Sequence, residues 1–343
     1  MAARDLGLGF GLLPSGPLNA ITDVAGVTVG HHTLQGEGLA TGVTAILPHQ
    51  GDPFRQKVRA GVEVINGFGK SVGLMQVAEL GTVETPILLT NTFSVAACAE
   101  ALVRRAIKAN PAIGRETSTV NPLVFECNDG AINDIQAMAV RTGDAEAALD
   151  EAKGGAVPQG AVGAGTGMTA FGFKAGIGSA SRLMRIEKQD YVLGALVLAN
   201  FGRAGDLVLP DGRRPAPAQA AEVEKGSVIV VLATDLPLGD RQLRRVARRA
   251  GAGLARLGAF WGNGSGDIAL CFTTADPVAH GPQAAFQPVR RLAEERIDMP
   301  FRAAAEATQE AVLNALCAAP ATVGRAGRRF PALAEWLKEN PSP

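Results

Sequence analysis

The sequence has few of the residues on which common metal and redox sites depend. Its four histidines and four cysteines form no HExxH motif and no CxxC pair, so the patterns of zinc proteases, zinc fingers and dithiol oxidoreductases are missing. The cysteines stand in apolar or mixed surroundings, which predicts buried thiols. Adjacent His31 and His32 would point to opposite faces of an extended segment, and this disfavours a shared metal ion. We expect no metal and no other cofactor.

Net charge and long apolar runs are also lacking. The 33 basic residues balance the 33 acidic ones, and the pI is about 6.9, so the overall field gives no reason to expect nucleic acid or an anionic membrane as a partner. No apolar run reaches the ~20 residues of a membrane span, and the first residues, MAARDLGLGFGLLPSG, do not resemble a signal peptide. The sequence therefore predicts a cytoplasmic protein that binds small uncharged or zwitterionic ligands.

The chain is long and apolar enough for one large domain or two closely packed ones, with 343 residues of which 47% are hydrophobic. Short strands alternate with alanine-rich helices in a mixed order, so an α+β or layered sandwich is as plausible as a doubly wound sheet. The predicted strands are 27–29, 42–47, 87–89, 123–126, 191–199, 228–233 and 268–273, and the predicted helices are 94–109, 145–153, 239–257 and 300–317.

A loop meets a buried strand at Gly226 and Ser227. The charged run that ends at Lys225 is followed directly by the apolar, β-branched segment Val228 to Ala233, which has the length and composition of a buried strand. The strand fixes the backbone of the serine, and the glycine tolerates angles that other residues avoid. The junction is either a simple turn or the bond at which the chain cuts itself.

A second serine stands between glycines in the segment WGNGSGDIALCFTTAD. Ser265 and Asp267 share one face if the strand begins at these glycines, which places a hydroxyl and a carboxylate within hydrogen-bond reach of a common point. The segment is not a nucleophile elbow, because Asn263 and Asp267 stand where the G-x-S-x-G motif requires glycine. No histidine is local to it, which disfavours a Ser-His-Asp hydrolase.

Four further polar residues stand at or near the ends of predicted strands. Glu126 and Asn128 enter a glycine-containing turn, where they suit either a binding cleft or the turn itself. Lys174 has apolar, glycine-flanked surroundings, so it is either snorkelling to the surface or a desolvated functional amine. Asn200 can cap a turn or donate to a developing oxyanion. The glycine-rich run at 160–168 lacks the remaining residues of a nucleotide-binding motif.

The ordered set of these motifs resembles the DmpA-type family of self-cleaving aminopeptidases. That family includes the L-aminopeptidase/D-amino-acid esterase-amidases and the β-peptidyl aminopeptidases, with the nylon-oligomer hydrolases as distant relatives. The segments that carry the resemblance run along nearly the whole chain: RDLGL, NAITDVAGVTVGHHTL, TGVTAILPH, LTNTFSV, ECNDGAINDI, GAVGAGTGM with FKAGIGSASR, LVLANFG, GSVIVVLATDLPL and NGSGDIALCFTTA.

The resemblance implies an α+β fold of the αββα sandwich type and a precursor that cuts itself before a serine or threonine. In this sequence the scissile bond would be Gly226–Ser227, which divides a single catalytic domain of residues 1–343 into an α-chain of 1–226 and a β-chain of 227–343. The freed α-amine of Ser227, with a pKa near ~7.7 to 8.0, would serve as the base for its own hydroxyl. One residue would then be both nucleophile and base, so no histidine is needed.

The resemblance also implies roles for the other candidates near the nucleophile. Ser265 matches the serine that orients the nucleophile, and Asp267 stands where the β-peptidyl enzymes carry a glutamate. Asn200 matches the asparagine that stabilises the oxyanion, and Lys174 matches an active-site lysine of the nylon-hydrolase branch.

Substrate recognition follows from the same resemblance. Glu126 matches an acidic residue that receives the free amine of the substrate, whereas Asn128 stands where the D-aminopeptidase branch has a tyrosine. The expected substrates are short peptides, amides or esters, and the expected assembly is a homo-oligomer, in the family a tetramer of αβ units. The alternatives are acyl transfer, as in the similar folds of ornithine acetyltransferases, hydrolysis of amides of the nylon-oligomer type, and a role as an unprocessed, non-enzymatic binding protein.

Overall fold

The computed structural model describes residues 1–217, 226–281 and 284–341. It contains two main β-sheets and two two-stranded hairpins. The strands are β1 Thr28–Gly36, β2 Leu39–Leu47, β3 Gln56–Gly67, β4 Thr82–Val83, β5 Ile87–Asn91, β6 Leu123–Cys127, β7 Thr169–Ala170, β8 Phe173–Lys174, β9 Ile177–Ile186, β10 Gln189–Asn200, β11 Ser227–Thr234, β12 Gly266–Ala279, β13 Thr322–Val323 and β14 Arg329–Phe330. The helices are α1 Leu74–Leu80, α2 Val95–Ala109, α3 Thr142–Asp150, α4 Asp240–Arg248, α5 Ala250–Ala255, α6 Asp298–Ala318 and α7 Leu333–Glu339.

The two main sheets pack face to face. The larger has the strand order β4-β3-β12-β11-β10-β9 and the smaller the order β1-β2-β5-β6. Strand β11 shows how the sequence builds the layers, because its side chains alternate between two cores. Val228, Val230 and Leu232 pack towards the helical side, whereas Ile229 and Val231 belong to the core between the sheets. The uninterrupted apolar run of this strand is therefore buried on both faces.

Helices cover the outer face of each sheet. Helices α4, α5 and α6 pack on the larger sheet, and α2 and α3 pack on the smaller one. This arrangement of layers confirms the predicted αββα sandwich and excludes the doubly wound alternative, as the neighbouring strands are mostly antiparallel. The helix predicted at 239–257 is instead two helices, interrupted at Arg249.

The path of the chain brings several strand ends to one edge of the sandwich. The last residue of β10 pairs with the first residue of β11, Asn200 with Ser227, and the parallel neighbour of Ser227 is Gly266, the first residue of β12. In the facing sheet, β5 and β6 end side by side at Asn91 and Cys127. No helix in the described parts of the chain is both long and apolar enough to cross a membrane.

Candidate active site

Ser227 lies at the first position of the central strand β11 and is 6% exposed. Its hydroxyl oxygen accepts a hydrogen bond from the backbone N–H of Gly266 at 3.1 Å. Its carbonyl oxygen accepts a hydrogen bond from the thiol of Cys127 in the facing sheet, with the sulfur and the oxygen 3.3 Å apart. Burial is the main cause that raises the pKa of Cys127 well above its ordinary value, so this thiol stays neutral. The serine is thus held from both sheets.

Gly226 is held against the end of β10 so closely that no side chain fits there. A Cβ at this position would lie 1.9 Å from the carbonyl oxygen of Asn200 and 2.7 Å from the Cα of Phe201. Both atoms belong to the backbone and cannot turn away, so glycine is the residue that this approach requires. The Gly226–Ser227 peptide therefore lies directly beside the residue predicted to bind the oxyanion.

Ser265 and Asp267 form the predicted pair. The Ser265 hydroxyl donates to Asp267 Oδ1 at 2.7 Å, and both residues are fully buried. The side chain of Asn66, at the end of β3, donates to the carbonyl oxygens of Ser265 and Gly262 at 2.5 and 2.9 Å. The pairing of β12 with β3 shifts register between Asp267 and Ile268. These contacts fix the turn that leads Ser265 into the strand beside Ser227.

Asn200 is 5% exposed, and both ends of its side-chain amide are engaged. The oxygen accepts from the backbone N–H of Thr169 at 3.1 Å, and the nitrogen donates to the carbonyl oxygen of Asn128 at 2.9 Å. The Thr169 contact fixes which side of the amide is the oxygen. The N–H₂ group therefore faces Asn128, and Asn128, Thr169 and Asn200 all line one cleft.

Glu126 is 2% exposed at the end of β6. Its Oε1 accepts from the backbone N–H of Lys70 at 2.8 Å, and its Oε2 accepts from the Thr92 hydroxyl. Gly69 lies between this carboxylate and the start of β12. A Cβ on Gly69 would be 3.7 Å from Glu126 Oε1 and 3.8 Å from the Cα of Gly266. Both oxygens of this buried carboxylate are therefore engaged by protein donors.

Asn128 lies one residue beyond β6 and is exposed, unlike the buried Glu126. Its side-chain oxygen accepts from the backbone N–H of Gly130 at 2.8 Å, as in an Asx turn. The residue therefore acts locally on the turn through its side chain and on Asn200 through its carbonyl oxygen. It also lines the cleft beside Gly226.

Lys174 is buried, which excludes the snorkelling alternative. Its ammonium donates to the carbonyl oxygens of Gly165, Met168 and Ala175 at 3.1, 2.9 and 2.5 Å. Burial lowers its pKa to about 7. The three carbonyl acceptors match the three N–H groups of the charged form, so the lysine binds the glycine-rich segment to the β7–β8 hairpin.

A cleft of about 390 Å³ opens beside Asn200 and Gly226. Its wall includes Asn128 and the residues that follow β10, and one side is formed by the segment around β13 and β14, which carries Arg325 and Arg328. Across the described ranges, no group of three His, Cys, Asp or Glu side chains is arranged to hold a metal ion.

Three contacts of the site were not predicted from the sequence. Asn66 holds the Ser265 turn, Thr92 binds Glu126, and Cys127 contacts the Ser227 carbonyl. Thr92 directly follows β5, at a strand end like Glu126. This position in the sequence could have indicated that Thr92 belongs to the site. Asn66 and Cys127 act across strands that are far apart in sequence, and their local surroundings carry no comparable signal.

Known proteins resemble this chain over its whole length. The profile of peptidase family S58 matches residues 19–330. A β-peptidyl aminopeptidase, BapA of Sphingosinicella microcystinivorans, is 38% identical over 94% of this chain and 87% of its own length. Among solved structures, a Burkholderia sp. β-aminopeptidase is 38% identical with a TM-score of 0.90, and the alignment covers 100% of both chains.

Two further structures match equally well. The PH0078 protein from Pyrococcus horikoshii OT3 has a TM-score of 0.91 at 45% identity, and the L-aminopeptidase D-Ala-esterase/amidase from Ochrobactrum anthropi, a variant of the Ntn hydrolase fold, has a TM-score of 0.90 at 37% identity. Each match covers 98% of both chains. These matches confirm the resemblance and the fold predicted from the sequence. The chain therefore belongs to peptidase family S58 and is a hydrolase, an aminopeptidase built on the N-terminal-nucleophile fold.

Proposed function

We propose that the chain cuts itself between Gly226 and Ser227 and that the released Ser227 is the nucleophile of the aminopeptidase. The observation that carries the proposal is the position of this bond. The Ser227 hydroxyl is held by Gly266, the carbonyl of the same residue by Cys127, and Gly226 is pressed against the end of β10. A peptide bond fixed on both sides beside a buried hydroxyl favours intramolecular attack.

The self-cleavage runs through an ester. The Ser227 oxygen bonds to the Gly226 carbonyl carbon, the bond from that carbon to the Ser227 nitrogen breaks, and the hydroxyl proton is transferred to the nitrogen. Water then hydrolyses the ester, which leaves a carboxylate on Gly226 and restores the hydroxyl beside a free α-amine. This amine takes the hydroxyl proton in each later turnover. After cleavage, the α-chain of residues 1–226 and the β-chain of residues 227–343 remain together as one catalytic domain.

The neighbouring residues suit the two needs of acyl transfer. The hydroxyl of Ser265, held by the Asp267 carboxylate, orients the amine and hydroxyl of Ser227 and relays protons between them. The side-chain nitrogen of Asn200 donates to the oxyanion, for which it must exchange its bond to the Asn128 carbonyl oxygen. Lys174, whose ammonium faces three carbonyls, contributes by holding the glycine-rich segment in place.

Glu126 accounts for the preference for a free N-terminus. Its carboxylate is buried and already accepts two hydrogen bonds, from Lys70 and Thr92, which fix its orientation. A substrate ammonium adds a charge-assisted bond in a site of low dielectric. We therefore propose that the enzyme removes single residues from short peptides, amides or esters. The named relatives act on β-peptides and on L-amino and D-alanyl substrates.

Intact mass spectrometry tests the proposal. The wild-type protein is expected to give two species, residues 1–226 and 227–343, whereas Ser227→Ala gives one uncut and inactive chain. Ser118→Ala, which removes an exposed hydroxyl away from the site, is the matched control and is expected to be cut and active. A wild-type chain that stays intact and still releases p-nitroaniline from amino-acid p-nitroanilides would contradict the mechanism.

Two further properties are proposed on sequence grounds. The balanced charge suggests action in the cytoplasm, and the family resemblance suggests a homo-oligomer of αβ units. Cell fractionation and light scattering of the purified protein test them. Amine acceptors that compete with water for the acyl group would favour the alternative of acyl transfer.

A further inference from the structure

Asp129 is a buried carboxylate beside the candidate site that plays no part in the proposed mechanism. It directly follows Asn128, two residues beyond the end of β6, and it is fully buried. Burial raises the pKa of its carboxyl, and hydrogen bonds with Thr41, Asn133 and Asn91 counteract this rise. Burial of an acidic side chain costs free energy unless its contacts compensate for the lost water. The contacts of Asp129 therefore indicate what it holds in place.

The first of these contacts fix the turn that carries Asn128. The side-chain amide of Asn133 donates to Asp129 Oδ1 at 3.0 Å, and the backbone carbonyl oxygen of Asp129 accepts from the N–H groups of Ile132 and Asn133 at 3.0 and 2.9 Å. The side-chain oxygen of Asn133 in turn accepts from the backbone N–H of Ala40 at 3.1 Å. Asp129 and Asn133 together thus fasten the turn to the start of β2 in the smaller sheet.

Two buried side chains of the smaller sheet face the same carboxylate. They are Thr41 of β2 and Asn91, the last residue of β5. The side-chain nitrogen of Asn91 donates to the Thr41 hydroxyl oxygen at 2.8 Å, and its oxygen accepts from the backbone N–H groups of Phe93 and Ser94 at 3.1 Å each. The partners of Asp129 are thus themselves held by the ends of two strands.

Asp129 also contacts the glycine-rich segment. A Cβ on Gly167 would lie 2.8 Å from the Cβ of Asp129 and 2.3 Å from the carbonyl oxygen of Ala40. Glycine is therefore the residue that lets this segment approach both the turn and β2 so closely. Asp129 lies where the turn, the glycine-rich segment and the smaller sheet meet.

The same turn and the same glycine-rich segment hold the side-chain amide of Asn200. Its oxygen accepts from the backbone N–H of Thr169 at 3.1 Å, and its nitrogen donates to the carbonyl oxygen of Asn128 at 2.9 Å. Thr169 follows Gly167 by two residues, and Asn128 directly precedes Asp129. Asp129 therefore supports both contacts of the amide.

We propose that Asp129 is a positioning residue for the oxyanion donor, because it fixes the segments of Asn128 and Thr169 to the smaller sheet and so sets the direction of the Asn200 amide. The inference rests on the proposed function, which assigns the oxyanion to Asn200. A donor that is oriented before the reaction stabilises the transition state without reorganisation. Loss of Asp129 should therefore lower kcat and leave KM nearly unchanged.

The test compares kcat and KM on an amino-acid p-nitroanilide, per cut chain as counted by intact mass. We expect Asp129→Ala to lower kcat by about tenfold or more, towards the ~10² to 10³-fold that loss of an oxyanion donor costs, and to change KM by less than about twofold. Asp129→Asn keeps an oxygen that can accept from Asn133 and should recover most of the kcat. A wild-type kcat in cut Asp129→Ala would overturn the inference, and so would an Asp129→Asn as slow as Asp129→Ala.

Asp235→Ala is the matched control. Burial also raises the pKa of Asp235, and its Oδ1 accepts from the backbone N–H of Val192 at 2.8 Å. It follows β11 at the end opposite Ser227, so its loss should lower the thermal midpoint and leave kcat per cut chain as in the wild type. A loss of kcat as large as that of Asp129→Ala would show that kcat reports general destabilisation, which would overturn the inference.

A double-variant cycle tests whether Asp129 acts through Asn200. In cut Asn200→Ala, the change Asp129→Ala should alter kcat by less than about twofold, because no amide is left to orient. Equal losses in the presence and absence of Asn200 would overturn the inference. If Asn200→Ala is not cut, kcat and KM of the single variants carry the test. If Asp129→Ala does not fold or is not cut, Asn133→Ala, which removes the donor to the carboxylate, replaces it and should show the same loss of kcat.

Failure of the inference and failure of the proposed function give different results. A wild type that stays uncut and active, or a cut Asn200→Ala with the wild-type kcat, would contradict the proposed function. A cut and active wild type that loses kcat with Asn200→Ala and keeps it with Asp129→Ala would overturn the inference alone.

Discussion

Replacement of Gly226 by alanine is expected to stop or strongly slow self-cleavage. The added Cβ would lie 1.9 Å from the Asn200 carbonyl oxygen, whereas ordinary contact begins at 3.4 Å. Backbone atoms of Asn200 and Phe201 form this contact, so the scissile peptide must shift by about 1 Å or more. A misplacement of about 1 Å costs an intramolecular reaction about 10²-fold in rate. We therefore expect the cleavage rate of Gly226→Ala to fall by at least that factor.

The assay is a time course of intact mass after purification in the cold. The fraction of the 343-residue chain and of the fragments 1–226 and 227–343 gives the rate directly, and a thermal melt shows that the variant is folded. Gly239→Ala is the control. A Cβ at Gly239 would meet no atom within 4 Å, and its φ of −75° suits alanine. It should be cut at the wild-type rate.

The reasoning would be refuted by a folded Gly226→Ala that is cut as fast as the wild type. That result would mean that the contact with Asn200 is absent in the chain that undergoes cleavage. A variant that folds, stays uncut and regains cleavage at high temperature would support the argument, since thermal motion then supplies the missing approach.

Three further perturbations have worked-out directions. Ser265→Ala should lower kcat on a p-nitroanilide by about 10²-fold, because the hydroxyl held at 2.7 Å by Asp267 is lost; an unchanged kcat contradicts its role. Lys174 has a folded pKa of about 7 against an ordinary 10.5, so the unfolded chain binds more protons between these values. The denaturant midpoint of the wild type should therefore rise relative to that of Lys174→Met between pH 7 and 9. A difference between the two midpoints that stays constant over this pH range would contradict this. Burial lowers the pKa of His31 from 6.5 to about 4, so the unfolded chain binds more protons between these values. As pH falls from 6.5 to 4, the free energy of unfolding of the wild type should therefore drop by up to about 3 kcal/mol relative to that of His31→Gln. A difference between the two proteins that does not change with pH in denaturant unfolding would contradict this.

Strands with apolar runs were predictable, and strands with buried polar residues were not. The segment Val228–Ala233 was found because every side chain is apolar. Strand β9 was missed, since Ser179, Ser181 and Arg182 are fully buried in it. Their partners come from distant segments: the Ser181 hydroxyl donates to Asp23, and the Arg182 guanidinium pairs with Glu310 at 2.7 Å. A sequence window shows the polar residues but not the partners that make their burial favourable.

The same distinction divides the site. The pair of Ser265 and Asp267 was predictable because the two residues are two positions apart where β12 begins, and the hydrogen bond between them is present. The contacts of Thr92 with Glu126 and of Cys127 with Ser227 were not. The first joins the ends of two strands that the fold pairs within one sheet, and the second depends on how the two sheets face each other.

Lys174 shows how an active-site position inferred from resemblance acquires a specific task from its contacts. Its ammonium binds the carbonyl oxygens of Met168 and Ala175 on both sides of the hairpin that contains Thr169. The backbone N–H of Thr169 in turn donates to the side-chain oxygen of Asn200. The hydrogen bonds described for its side chain all go to backbone carbonyl oxygens of the neighbouring segment. We therefore propose that Lys174 acts on catalysis through the orientation of the Asn200 amide, as a positioning residue for the proposed oxyanion donor.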